Sequence, residues 1–455
     1  MIIFKPGDFL LKPKITLYNN IARSGKCKGR LLAELEIYPS PRLTWDFETL
    51  GKTACEPDNT NGLLKESFIG DRFRMNRPYL TSRSQSSLTS KPTVRSSGFA
   101  SQAISGDLKF NSQTFSFCIP NARFQEANLV GQGTITENLR ATVGDESWEV
   151  GEAPAGRIIS VPIDDYWQIH LETRLDALDW LKRNRRNIGT YVTTIGLLSL
   201  QKRSNRKKSK RSQTMILDEA IHRLRSFSLL LSFANGGYTG PLYVEGYRID
   251  RIVIASGEFL VSRITPLEQL GASWLTIASD LTGFLKCFSA FERMGDLPHW
   301  KDEFDLILAW YFQAIQPQSL QMGKPWPVVA NAIGTALERL CVLILVNDLG
   351  IRGLSSPADR IKRLLEQMGI TRARGCPDVK HIKDLIDIRN DATHPRSTST
   401  LTDQMREHVL DVAIQWLEEA LLWRLGYNGK YRDRIKPHYA STEPRYDLTA
   451  RNPSW

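Results

Sequence analysis

The hydrophobic period changes once along this chain, and that change commits it to two different kinds of domain. Upstream, apolar side chains recur mostly at every second position; from Pro266 onward they recur at helical spacing. Leu32-Ala33-Glu34-Leu35-Glu36-Ile37-Tyr38 alternates and is closed by Pro39-Ser40-Pro41. Leu43-Thr44-Trp45-Asp46-Phe47-Glu48 alternates again, which puts Leu43, Trp45 and Phe47 on one face. Thr114–Ile119, Gly156–Val161, Tyr243–Ile249 and Arg251–Ile254 continue the strand pattern. Between them, Thr81–Ser101 is rich in Ser, Thr and Arg, has no apolar period, and is expected to be a long surface loop. A helix is expected over Tyr166–Arg183, on Ile169, Leu175, Leu178 and Leu181, and another over Leu217–Phe233. Asn235-Gly236-Gly237 is the stop signal of the second.

The downstream half reads as helices. Val328–Val346 is apolar on nearly all sides and marks the central helix of a bundle. Ser356-Pro357-Ala358-Asp359 is a helix start, with Ser as N-cap and Pro at the first position. Ile361, Leu364, Leu365 and Met368 follow as a stripe, and Gly369 stands where a C-terminal glycine belongs. Trp310-Tyr311-Phe312 lies on an earlier helix. Met405, Val409, Val412, Ala413, Trp416, Leu417, Ala420 and Leu421 fall on a long later one. Short connections between these elements predict an antiparallel bundle. The fold class is therefore α+β, with a strand-rich domain over 1–270, an all-α bundle over 271–435 and a tail over 436–455.

Chemistry can be narrowed next. The formal net charge of +11 on 455 residues favours a polyanionic partner. Lys202, Arg203, Arg206, Lys207, Lys208, Lys210 and Arg211 fall in one run without an apolar residue. Such a run repels itself, is expected as an exposed loop, and can contact a phosphate backbone. No aromatic is interleaved there, so base stacking is not indicated. The cysteines (Cys27, Cys55, Cys118, Cys287, Cys341, Cys376) show neither metal-ligand spacing nor a disulfide framework, which fits a reduced cytoplasmic protein with no metal or other cofactor. Phosphate-loop and dinucleotide-loop patterns are missing from any strand-to-helix context, and no basic recognition helix is visible. The longest apolar run, Leu340–Val346, is too short to cross a bilayer, so no membrane partner is expected.

One short segment collects groups suited to catalysis. A helix over Val379–Thr393, with Val379, Ile382 and Ile386 as its apolar stripe, carries Arg389, Asn390 and His394 toward its end, just before Pro395. At about 100° per residue Asn390 falls about 40° from Ile386, so the core-facing stripe is expected to turn polar over its last turn. An arginine offers a permanent planar cation to phosphate oxygens, and a histidine can exchange a proton at neutral pH. Together they suit metal-free RNA cleavage, in which the ribose 2′-hydroxyl attacks its neighbouring phosphorus. The spacing alone does not decide. Arg293/His299, Arg374/His381 and Arg432/His438 share it, and cations at a helix C-terminus also complement the helix dipole.

The segment Arg389-Asn390-Asp391-Ala392-Thr393-His394 resembles the R-N-x3-H motif of HEPN domains, helical bundles of which many are dimeric RNases. Ala336-Leu337-Glu338-Arg339-Leu340, Ser356–Leu365 and Leu425-Gly426-Tyr427-Asn428-Gly429-Lys430-Tyr431 are similar to the C-terminal HEPN domains of ApeA-like bacterial proteins. Leu230–Gly237 and the strand-rich half are similar to that group's N-terminal domain. The resemblance implies that Arg389 and His394 form the catalytic pair, with Asn390 as accessory polar residue. It also implies that two bundles pair about a two-fold axis, and that the protein serves anti-phage defence by abortive infection, alone or with a protein partner in a defence complex. The alternative expectation is a non-catalytic bundle that dimerises or grips nucleic acid.

Overall fold

The structure is a computed structural model of the 455-residue chain. It describes residues 14–24, 27–36, 42–49, 59–60, 63–64, 68–70, 73–76, 78–86, 93–100, 102–105, 109–122, 134–143, 146–174, 192–201, 214–249, 253–260, 263–266, 269–271, 273–276, 279–316, 326–369, 379–394, 401–434 and 450–451. The fold is α+β: an N-terminal strand-rich region of antiparallel sheet and a C-terminal region of helices. The chain divides into two compact units. The first runs to Leu267 but omits Leu229–Tyr238, which belong with Glu268–Trp455 in the second.

In the first unit a seventeen-stranded antiparallel sheet can be followed strand to strand. One half runs 134–143, 146–162, 167–174, 192–200, 114–120, 243–249 and 253–260. The other continues through 102–105, 73–76, 68–70, 14–24, 27–36, 42–49, 93–100 and 79–86 to the short pair 63–64 and 59–60. The expected alternation is seen directly. Leu31, Ala33 and Leu35 face inward from one strand, and Leu43, Trp45 and Phe47 from its neighbour. Cys118, Val192, Ile195, Leu242 and Tyr243 complete that core.

Two expectations fail here. The described residues of Thr81–Ser101 are not loop, since they belong to the strands Tyr79–Ser86 and Thr93–Ala100, which pair antiparallel, while 87–92 and 101 lie outside the described residues. Ladder hydrogen bonds come from the main chain, so a Ser/Thr-rich strand needs no apolar period to be held between neighbours. Nor is Tyr166–Arg183 a helix at its start. Trp167–Arg174 is a strand between two others, with Trp167, Ile169, Leu171 and Thr173 buried in strict alternation. Its period of two was present in the sequence, while the remainder of that expected helix lies outside the described residues, as does Lys202–Arg211.

Cys27 is disulfide-bonded, contrary to the all-thiol expectation, whereas Cys118, Cys287 and Cys341 are free. Burial pushes the thiols of Cys118 and Cys341 up to about 12 and that of Cys287 to about 11, so none of the three is a nucleophile at neutral pH.

Helix α1, Leu217–Asn235, buries Leu217, Ala220, Ile221 and Leu224 at helical spacing, and from Leu230 to its end almost every residue is buried. Gly236 ends it with φ +76°, its N–H bonding back to Ser232 O at 3.1 Å. Its own carbonyl then accepts from Gly271 N at 2.9 Å. A Cβ on Gly236 would stand 2.4 Å from Gly271 O, so the two strands of chain touch only because a side chain is absent.

Among its described residues the second unit holds seven helices after that point: α2 (Leu281–Lys286), α3 (Phe288–Gly295), α4 (Glu303–Ile315), α5 (Trp326–Cys341), α6 (Pro357–Gln367), α7 (Val379–Thr393) and α8 (Asp403–Leu425). Helix α5 packs against α4, α6, α7 and α8, as expected of the central helix. It runs on as a π-helical turn, Val342–Asp348, where Leu349 N reaches back five residues to Ile344 O. Together, Trp326–Asp348 is long and apolar enough by composition to cross a bilayer, but 67% of that window is buried inside the fold, as in a core helix. Ser356 caps α6 as expected, accepting from Asp359 N. Phe233, Trp274, Phe284 and Tyr427 form an aromatic cluster with ring centroids 4.7–6.1 Å apart. Within the expected tail, Ala450–Arg451 is paired as a strand with Tyr431–Arg432.

Candidate active site at the end of helix α7

Helix α7 buries Ile382, Leu385 and Ile388, whereas Ile386 is half-buried. The core stripe is thus turned relative to the expected one, because Leu385 rather than Ile386 takes the inward position after Ile382. One consequence is a correction: Asn390, expected beside the core face, is exposed. Arg389 follows Ile388 at the edge of the packed face, and its stem crosses α5. A Cβ on Gly334 would lie 2.8 Å from Arg389 Cδ. Four residues on, on the same side of α5, Glu338 Oε1 accepts a hydrogen bond from Arg389 Nη1 in an ion pair. The two side chains are 28% and 24% exposed, so the pair sits at a solvent-reachable edge. Arg339, next to Glu338, turns to α4 and gives two hydrogen bonds to Glu303 at 2.7 and 3.0 Å.

The last turn of α7 is held by its own polar groups. Thr393 Oγ1 donates to Arg389 O at 2.6 Å, and His394 N donates to Asn390 O at 2.7 Å. His394 is exposed. The predicted set thus runs from the last turns of α7 to the residue just past its end, with Arg389 anchored across α5 and with Asn390 and His394 open to solvent. The Lys202–Arg211 cations cannot be related to it, since they fall outside the described residues.

Residues 297–445 match the family described as YopA C-terminal domain. That similarity spans about a third of the chain and takes in α4 to α8 with every residue of the candidate site. The description names no activity. No curated protein and no solved structure matches the chain.

Two polar constellations inside the same region were not foreseen. At the end of the π turn, Asp348 accepts from His299 Nε2 at 2.7 Å, from Trp300 Nε1 at 3.0 and 3.1 Å, and from Arg424 Nε at 2.7 Å. Burial works against the charge on Asp348, but the bonds from His299, Arg424 and Trp300 outweigh it and hold the carboxyl below the usual carboxylate range. In the core, Glu418 is fully buried and takes a two-pronged bond from Arg434, Nε at 2.8 Å and Nη2 at 2.6 Å, plus one from Tyr311 OH. Glu419 beside it accepts from Tyr431 OH at 2.8 Å and from Gln415 Nε2 at 3.1 Å. Gln415 Oε1 in turn accepts from Arg434 N at 2.7 Å, so the segment after α8 is tied back along it. Two adjacent glutamates amid Trp416, Leu417, Ala420, Leu421 and Leu422 were the sequence signal for this network. Among the described residues no three His, Cys, Asp or Glu side chains converge as a metal-holding group.

Proposed function

We propose that this protein is a metal-independent HEPN-type endoribonuclease of bacterial defence, acting in abortive infection. Arg389 stabilises the anionic phosphorane, His394 exchanges the proton of the 2′-hydroxyl, and Asn390 orients the phosphate. The observation that carries this reading is that Arg389 and His394 leave the last turn of α7 toward solvent, not into a closed core. Histidine 394 is exposed, and the Arg389 side chain, seated over Gly334, is 28% exposed. The proposed enzyme is a homodimer through its helical region, with the basic Lys202–Arg211 segment steering RNA. A cytoplasmic setting belongs to the proposal; the free Cys118, Cys287 and Cys341 favour it and the bonded Cys27 weighs against it.

The test is incubation of the purified chain with labelled RNA in EDTA, beside Arg389→Ala and His394→Ala. Products ending in 2′,3′-cyclic phosphate, lost in both variants, are expected. Undiminished cleavage by His394→Ala removes the site.

One observation favours a second reading, a non-catalytic bundle that dimerises or grips nucleic acid. The Arg389 guanidinium is already paired with Glu338, as a structural cation would be. That reading expects RNA binding that weakens steeply with salt and no cleavage products.

A further inference from the structure

The strand-rich unit carries a basic face of its own. Ala22, Cys27, Leu31 and Met75 pack into one core cluster from the strands 14–24, 27–36 and 73–76. Side chains alternate along a strand, so Arg23, Lys28, Arg30 and Arg74 point the other way, and all four are exposed. The core therefore holds these cations on one side of the sheet.

Ladder register lines them up. Arg74 stands opposite Ile69, Ile69 opposite Arg23, and Arg23 opposite Lys28, a row that crosses four antiparallel strands. With neighbouring strands about 4.8 Å apart, that row spans roughly 14 Å. Two residues along, a second row sets Ile21 opposite Arg30 and Arg30 opposite Glu48. Glu48 is the one acid in these two rows, and it stands at the far edge.

The row is not neutralised from within. Among the described residues Arg23, Lys28 and Arg74 make no side-chain hydrogen bond or ion pair, and Arg30 Nε donates to the uncharged Asn19 Oδ1 at 3.1 Å. Like charges directly opposite one another, as Arg23 and Lys28 are, weaken a sheet. Folding alone gives no return for that arrangement, whereas a ligand with closely repeated negative charge does. Ile21 and Ile69, 47% and 57% exposed, are single side chains on separate strands, too little apolar surface to enter a bilayer. Neither row contains an aromatic, so bases are not stacked there.

We propose that this outer face, through Arg23, Lys28, Arg30 and Arg74, binds the phosphate backbone of a nucleic-acid strand by charge. It is a surface separate from Lys202–Arg211 and from the α7 site, and it stands whether or not the protein cleaves RNA.

The experiment is titration of the full chain into a fluorescein-labelled thymidylate oligomer, read as anisotropy over a series of salt concentrations. DNA has no 2′-hydroxyl, so cleavage at the α7 site cannot alter the probe. The variant Arg23→Gln/Lys28→Gln/Arg74→Gln should bind at least about ten-fold more weakly at low salt. Its slope of log affinity against log salt should be shallower by about 2, at roughly 0.7 for each lost phosphate contact. A control with the same charge loss at exposed positions of the second unit, Lys301→Gln/Arg352→Gln/Lys362→Gln, should stay within about two-fold of the parent. Melting curves verify folding. Should the triple variant not fold, Lys28→Gln and Arg74→Gln decide singly, each flattening the slope by about 0.7. Unchanged binding in the folded variants, or an equal loss in the control, overturns the surface. So does capture of phosphatidylserine vesicles that the triple variant loses while its oligomer binding is unchanged.

Discussion

Gly334 of α5 lies directly beneath the side chain of Arg389 of α7, so close that a Cβ at position 334 would stand 2.8 Å from Arg389 Cδ and 3.3 Å from its Nε. Glycine in a helix interior costs about 1 kcal/mol against alanine, so its presence in the central helix calls for a gain elsewhere. Seating the arginine is that gain. Gly334→Ala is expected to keep the fold, with a thermal midpoint at or slightly above that of the parent, and, on the ribonuclease proposal, to lower RNA cleavage at least about ten-fold. Cleavage equal to the parent in a folded variant would detach function from the Arg389 seat.

The Arg389–Glu338 pair imposes a competition. A phosphate approaching the guanidinium must share it with, or displace, the Glu338 carboxylate. At this exposure the pair adds no more than about 1 kcal/mol to stability. Glu338→Gln should therefore melt within that margin of the parent yet bind RNA several-fold more tightly, measured as KM or as binding to a non-cleavable 2′-deoxy analogue. Unchanged affinity would mean that the guanidinium does not meet the phosphate.

Burial of an acid in the strand-rich unit predicts a pH dependence. Glu245 is 6% exposed and burial pushes its carboxyl up to about 7, against a hydrogen bond with Tyr243 that lowers it. The folded state therefore binds a proton that the unfolded chain releases from about 4.5 upward. Stability from this group is intact below that value and is lost as pH climbs through 7, by roughly 3 kcal/mol in all. Glu245→Gln should flatten the dependence of the urea midpoint between pH 5 and pH 8, with its advantage at pH 8. A variant that tracks the parent over that range would show that Glu245 is not the group responsible.

Breaking the Glu418–Arg434 pair leaves a buried charge. Arg434→Met should destabilise by about 3–5 kcal/mol, because Glu418 is 0% exposed and keeps only Tyr311. The double variant Glu418→Gln/Arg434→Met should recover part of that loss. Chemical denaturation of the three variants checks the coupling, and simple additivity would contradict it.

How far the sequence reached can be argued residue by residue. The inward faces at Leu43, Trp45 and Phe47, the Ser356 cap and the span of α7 followed from local rules that the packing left intact. The strand at Trp167–Arg174 was misread because leucines beyond it suggested helical spacing, although its own alternation was the stronger signal. At the candidate site the helix and its last turn were legible. What decides which way that turn faces was not, since choosing between Leu385 and Ile386 as the inward residue depends on α5 and moves Asn390 from the core edge to solvent. Partners distant in sequence were out of reach. Nothing local to His299 indicates Asp348, 49 positions away, or Arg424 beyond it, and this histidine looked like one of several chance pairings.

The π turn at Val342–Asp348 makes this region tolerant of a one-residue change in length but not of losing its aspartate. A π turn accommodates one residue beyond the α-helical count, so it has the geometry of an insertion that the helix has absorbed rather than expelled as a loop. Removing a single residue ahead of Asp348 would let α5 continue with ordinary hydrogen bonds while leaving the chain beyond it close to its present register. Among homologues, then, a one-residue gap in this turn should leave 299, 300 and 424 as they are, whereas loss of the aspartate, the acceptor they share, should travel with changes at those three positions.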